Sequence, residues 1–490
     1  MDTGVGRVGR ALLAAAVGAA LAVAGTTALP AGAAQLPGAR SQGPAHPDVR
    51  QARDDVPDAG GARRAALDAG PVLAATADAA GSPVPGAEAL RQALGDSVRD
   101  PSLGSLNMAV ADAVTGTLLY GAGETEPVTP ASTTKLATAV AALALVPPAT
   151  RLATTVVRGD RPGTVVMVGG GDPTLTVLPA DQIRIGGAPV DDDTAPASLA
   201  DLAARTAAAL KAAGTTAVHL DYDTSMYSGP LLHPEHDAMN IAAVTPLMVD
   251  EGRVAPLSPD EAPARVYDPA GQAANALADR LRAAGITVDG TPAQVTAPAG
   301  AAVLGRVFSP TVPRLIERML TTSDNTLAEA VARQAAIAAH RPASFEGAAA
   351  ATLATLAGLG VPTAGMVLAD GSGLSKTDRI PALALTELLA RAASPAHPEL
   401  RPVLTGLPVA GFTGTLVNRF GERSGAGQAA GLVRAKTGTL SGVNTLAGTV
   451  VDADGRVLTF ALMTRTGAYP GSARDAVDRI VARLASCGCR

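Results

Sequence analysis

Folded-protein patterning becomes clear from Asn107 onward. The run Asn107-Met108-Ala109-Val110-Ala111, the turn residues 112–116 and the run Thr117-Leu118-Leu119-Tyr120 predict a β-hairpin. A second hairpin is expected near the other end, where 445–451 and 456–463 flank an Asp454-Gly455 turn. Behind it, residues 473–485 repeat their apolar positions with a helical period. Helical spacing also marks 87–98, 312–320 and 326–339. It recurs at Leu136, Ala139, Val140 and Leu143 until Pro147-Pro148 stops the helix. Between about 155 and 305 short apolar runs alternate with turns, including Gly169-Gly170-Gly171-Asp172-Pro173. That change of texture predicts an insertion over 156–304, carrying one or two small β-rich domains, within a host formed by 86–155 and 305–490.

The N-terminus has a different pattern. Arg7 and Arg10 precede an apolar run from Ala11 to Ala24, and Pro30 is followed by Ala31-Gly32-Ala33. This predicts an export signal over 1–34, with an uncleaved membrane anchor as the competing reading. Either way the mature protein is expected outside the cytoplasm, secreted or associated with the cell wall. Residues 35–85, rich in Ala, Pro, Gly, Asp and Arg, read as a flexible leader.

Composition narrows the function classes. The 490 residues are 47% hydrophobic and 17% charged with a net charge of −5, which excludes a disordered chain and argues against a nucleic-acid partner. Aromatics make up 2% with no Trp, so stacking platforms for bases or sugars are not expected. The two cysteines, Cys487 and Cys489, cannot build a disulfide framework or a zinc cluster, and are expected as free thiols or a local bridge. Of 39 basic residues only four are Lys: Lys135, Lys211, Lys376 and Lys436. Arg stays protonated near neutral pH, whereas a Lys amine can be tuned to lose its proton, so the surroundings of these four carry information.

Two of the four fall in short motifs. In Pro130-Ala131-Ser132-Thr133-Thr134-Lys135, Ser132 and Lys135 share one face of the predicted helix, with Ser132 in its first turn. Backbone N–H groups there favour developing negative charge, and a neutral Lys amine can activate a serine hydroxyl. A plain serine cap on a helix is the bland alternative. Ser323-Asp324-Asn325 falls between two helical stretches and is expected in a loop, where Ser can relay a proton and the Asn amide can bind a carbonyl. Ser, Asp and Asn are also what helix starts prefer. Lys436-Thr437-Gly438-Thr439 lies in a strand expected from Leu432. A cation and hydroxyls on a strand edge suit a carboxylate, and Gly438 leaves room for another backbone to approach.

The three motifs in this order, with Val168-Gly169-Gly170-Gly171-Asp172-Pro173-Thr174-Leu175, Asp370-Gly371-Ser372-Gly373-Leu374-Ser375 and Gly414-Thr415-Leu416, resemble the serine D-alanyl-D-alanine carboxypeptidase/endopeptidase family, the low-molecular-mass class C penicillin-binding proteins. The likeness covers roughly residues 90–485. It implies an α+β fold: a penicillin-binding/β-lactamase-like transpeptidase domain in which an antiparallel sheet is covered by helices on both faces beside a helical lobe. The active site would lie between sheet edge and lobe. The resemblance implies an acyl-enzyme on Ser132 with Lys135 as base, kept neutral by the nearby Lys436 ammonium. Ser323 would relay the proton and Asn325 would hold the substrate backbone. Lys436, Thr437 and Thr439 would bind the terminal carboxylate, and the N–H groups of Ser132 and Thr439 would hold the oxyanion. The implied partners are peptidoglycan stem peptides, with β-lactams as inhibitors; no metal or organic cofactor is implied.

By the same resemblance, Asp223 and Tyr227 would form a pocket for the free amine of the stem-peptide side chain, with Lys376 holding a neighbouring carboxylate. A turn Asp, a core Tyr and a surface Lys are the bland readings. Two alternative functions stand beside the peptidase. A class A-like β-lactamase lacks support, because no Glu followed four residues later by Asn occurs after Ser132. The other is an inactive cell-wall-binding or β-lactam-sensing protein, against which the intact motifs argue.

Overall fold

A computed structural model of the chain describes residues 81–490, apart from 186, 259, 261 and 468. The expected signal segment 1–34 and nearly all of the expected leader lie outside the described residues.

The principal sheet is antiparallel, in the order Val433–Leu440, Val443–Val451, Val457–Arg465, Ser105–Asp112, Leu118–Ala122. The two expected hairpins therefore join, with Ala109 opposite Ala461. Side chains alternate between the two faces of a strand, and the faces here differ in size. One carries Met108, Val110, Leu446, Phe460 and Leu462, packed under the helices Ala87–Leu94 and Pro470–Ala485. The other carries Ala109, Ala461 and Ala447, with Ala461 in register between the other two. This strip of single methyl groups lets Leu385, Leu388 and Leu389 of the helix Ala382–Ala393 pack close to the sheet. Beyond that helix lies the helical lobe: Thr134–Leu145, Val312–Thr322, Asn325–Ala338 and Phe345–Gly358.

A second sheet has the order Val303–Thr311, Arg151–Arg158, Thr164–Val168, Ala217–Asp223, Thr287–Asp289 and mixes parallel with antiparallel pairs. Its apolar side is covered by the helices Leu199–Ala212 and Pro269–Ala283. The sequence predicted small β-rich domains over 156–304; the sheet is instead half of an α/β unit and reaches further at both ends. Its strands that come first and last along the chain pair with each other, Thr154 opposite Val307, so both belong to the second sheet. Pro147-Pro148 ends the preceding helix and the strand starts directly after it, before the texture of the sequence changes. Cys487 and Cys489 are bonded to each other. Among the described residues no helix is long and apolar enough to cross a membrane, and no cluster of side chains could hold a metal ion.

Candidate active site

Ser132 is half-buried at the mouth of the helix Thr134–Leu145, in a preceding 3-10 turn, Ala131–Thr133. The sequence expected it in the first α-helical turn. Ala131 takes a positive φ of 48°, unusual for a residue with a side chain, and this sharpens the entry into the helix. Lys135 follows three residues later and is fully buried. Its Nζ donates to Ser132 Oγ at 3.0 Å, Asn325 Oδ1 at 2.5 Å and the Ser372 carbonyl at 2.7 Å. Those three acceptors match the three N–H bonds of an ammonium. Removal from water still disfavours the charge, and burial pulls the Lys135 pKa down to about 8 against the opposing pull of Asp370, Asp324 and Glu329. The sequence reading put the cause in the Lys436 ammonium; burial comes first.

Ser323 ends the helix Val312–Thr322 in the left-handed region, at φ 61° and ψ 24°. Asp324 then caps the next helix by accepting from Leu327 N at 2.9 Å, so Asn325 is the first residue of that helix and not part of a longer loop. The Asn325 amide is held at both ends. Its Oδ1 takes the Lys135 proton donor and its Nδ2 donates to the Asn240 carbonyl at 3.1 Å. Lys436, on the strand Val433–Leu440, reaches across the cleft and donates to Ser323 Oγ at 2.7 Å. Thr437 Oγ1 is bonded to Thr415 Oγ1 at 2.8 Å.

Gly438 is where the strand touches the turn that carries Ser132. A Cβ there would sit 2.9 Å from Ser132 N and against Thr445 Oγ1, so only glycine fits. The free edge of this strand is covered further back, where Ala410 N and Ala435 N bond to Val433 O and Pro408 O at 3.0 Å each. By the two-residue period of a strand, the N–H groups of Thr437 and Thr439 point the same way as that of Ala435, along the edge facing the cleft. The cleft, about 450 Å³, is lined by Ser132, Ser323, Asn325, Gly373, Thr437 and Thr439. A neighbouring hollow of about 640 Å³ shares Thr437, Thr439 and Arg474 with it.

Comparison with known proteins agrees with this geometry. Residues 90–263 and 255–486 match the model of the D-Ala-D-Ala carboxypeptidase 3 (S13) family. The chain belongs to that family. Carboxypeptidase DacB of Mycolicibacterium smegmatis is 38% identical over 83% of this chain and 86% of its own length. A carboxypeptidase of Mycobacterium tuberculosis is 36% identical over 83% and 85%. The fold is shared with penicillin-binding protein 4 (dacB) of Haemophilus influenzae at a TM-score of 0.63 and 21% identity, covering 82% of this chain and 99% of that one. Family membership makes the chain a serine-type D-alanyl-D-alanine carboxypeptidase and sets aside the β-lactamase reading.

Several contacts around this S13 site were given no role in the sequence reading. Asp324 is gripped by Arg265 at 2.8 Å and Arg253 at 3.3 Å, which hold its carboxyl well below the usual range. The Asp370–Ser375 segment, which the sequence singled out without a role, supplies the Ser372 carbonyl to Lys135. Its Gly371 carbonyl accepts from Thr138 Oγ1 at 2.6 Å. Arg253, Arg265 and Asn240 come from the stretch between the second sheet's strands and fit no sequence pattern.

The proposed side-chain pocket is not assembled. Both Asp223 oxygens are taken by backbone, from Ser225 N and Ala297 N at 2.7 Å each, so it fixes a turn. Tyr227 is buried with Ile241, Val244 and Phe345, and its hydroxyl meets Gln334 Nε2 at 3.4 Å. Lys376 is exposed and pairs with Glu235 at 2.9 Å. None of the three lines the cleft. A turn Asp, a core Tyr and a surface Lys describe them.

Proposed function

We propose that this carboxypeptidase cleaves the terminal D-Ala–D-Ala bond of peptidoglycan stem peptides through an acyl-enzyme on Ser132, and that penicillin acylates the same serine. The observation that carries the proposal is the buried Lys135 amine 3.0 Å from Ser132 Oγ. With a pKa of about 8, roughly a tenth of it is neutral at pH 7, and the neutral amine takes the Ser132 proton as Oγ attacks the carbonyl of the penultimate D-Ala. The oxyanion is held by the N–H groups of Ser132 and Thr439, a pairing supported by the close approach at Gly438. The proton passes by way of Ser323 to the leaving amine as the C–N bond breaks. Lys436, Thr437 and Thr439 bind the leaving residue's carboxylate. Water then adds to the ester carbonyl and returns the proton to Ser132.

The same chemistry releases a cross-linked partner in place of D-Ala, which is endopeptidase action on the same site. Its substrate lies outside the cytoplasmic membrane, in agreement with the export signal expected over 1–34. Incubation with penicillin should add one covalent equivalent, mapped by mass spectrometry to Ser132, while Ser132→Ala gives none and releases no D-Ala from a D-Ala-D-Ala peptide. A folded parent protein with no adduct and no D-Ala release would favour the inactive, sensing or wall-binding alternative.

A further inference from the structure

His233 lies in the stretch between the second sheet's strands, with its side chain 1% exposed. Its Nε2 lies 2.7 Å from Asp370 Oδ2, and its Nδ1 lies 3.0 Å from the backbone N of Glu235. A backbone N–H can only donate, so Nδ1 is the acceptor and Nε2 carries the ring proton, which it gives to Asp370. The ring packs edge-to-face with Phe345, their centroids 5.3 Å apart.

Asp370 is the hub of the loop that touches the nucleophile helix. Its Oδ1 accepts from Ser372 N at 3.1 Å and Gly373 N at 2.6 Å, and its Oδ2 from Ser375 N at 2.7 Å. This winding presents the Ser372 carbonyl to Lys135 Nζ at 2.7 Å and seats Gly373 against the Ala131 carbonyl. A side chain of the inserted stretch thus reaches the amine in three bonded steps: His233 to Asp370, Asp370 to the Ser372 backbone, Ser372 to Lys135.

We propose that His233 is a positioning residue for the Lys135 amine, acting through Asp370. This rests on the reading of Lys135 as the base that activates Ser132. A buried carboxylate with one donor removed relaxes toward whatever donors remain, and the loop wound around it follows. The Ser372 carbonyl then no longer fixes the amine opposite Ser132 Oγ, and acylation slows although the nucleophile and its base are intact.

The amide variants separate the two ring nitrogens. Asn places a polar atom near Nδ1 and loses the donor to Asp370; Gln reaches the position of Nε2 and keeps it. Acylation by penicillin is measured on the full chain as a second-order rate per serine titrated at completion, so that misfolded molecules do not count. His233→Asn is expected to slow acylation by about tenfold or more, and His233→Gln to stay within about threefold of the parent. An unchanged rate in His233→Asn, or an equal loss in both variants, overturns the proposal. Should His233→Asn fail to fold, nitrogen-15 spectra of the histidine rings in the parent decide: an Nε2–H is required, and a ring protonated at Nδ1 only overturns it. A parent that takes no penicillin at all would instead overturn the reading of Ser132 and Lys135.

Discussion

In the proposed mechanism Lys135 is the residue on which the chemistry turns, and its environment makes a quantitative statement. An amine with a pKa of about 8 gains its neutral form as pH rises, so the acylation rate should climb about tenfold per pH unit below 8 and level off above it. Rate constants for penicillin acylation between pH 5.5 and 9.5 check this; a flat profile from pH 6 to 9 would assign the proton to another group. Lys135→Arg keeps the charge, cannot supply a neutral amine, and should slow acylation by about a hundredfold to ten-thousandfold. The residues that meet in the cleft were legible at this scale as short motifs: Ser132 with Lys135, Ser323 with Asn325, Lys436 with Gly438. Asp223 and Tyr227 matched a pattern as well, but whether a carboxylate is free depends on which backbone amides meet it. Those amides belong to Ser225 and to Ala297, far along the chain.

At the scale of elements, the site is a junction of a helix mouth, a helix cap and a strand edge. Each is set by one backbone peculiarity: positive φ at Ala131, left-handed Ser323, and the missing side chain at Gly438. The helices and hairpins were readable from periodicity, since burial on one face leaves a period in the chain. The left-handed turn at Ser323 was not, because nothing local in Ser-Asp-Asn separates a loop from a C-terminal cap followed at once by an N-terminal cap. The Asp324 cap also ties the helix Asn325–Ala338 to Arg265, and both side chains are 3% exposed. Arg265→Met should leave a buried carboxylate short of its nearest cation and destabilise the protein by about 3 kcal/mol. Urea unfolding of the variant would show it, and an unchanged midpoint would mean that Arg253 alone suffices.

The whole molecule separates stability from chemistry across the principal sheet. The small-residue face looks toward the helical lobe and the nucleophile; the large-residue face, with Ile480 fully buried among Leu446, Phe460 and Val477, lies on the far side. Ile480→Ala should cost about 2–5 kcal/mol by cavity formation yet leave acylation per titrated serine within about twofold. Denaturant unfolding beside penicillin titration reads both quantities, and a matching loss in acylation rate would show that the sheet transmits strain to the cleft. The α/β character of the inserted unit was the least legible part of the fold. Its helices Leu199–Ala212 and Pro269–Ala283 are so rich in Ala that their apolar stripes barely differ from the short runs around them.

The pairing of Ala109 with Ala461 has a bearing on biogenesis. A ribosome delivers the strand Ser105–Asp112 long before its neighbour Val457–Arg465, whereas every strand of the second sheet lies between Arg151 and Thr311. The middle of the chain can therefore settle into its own unit while the first strand of the principal sheet, paired with Leu118–Ala122 on one side, still waits for its neighbour on the other. Such distant pairing is slow to form. Until residue 438 is made the motif Lys436-Thr437-Gly438 does not exist, and Ser132 has no strand to face. A nascent chain thus carries Ser132 through about 300 further residues of synthesis before the strand that faces it exists.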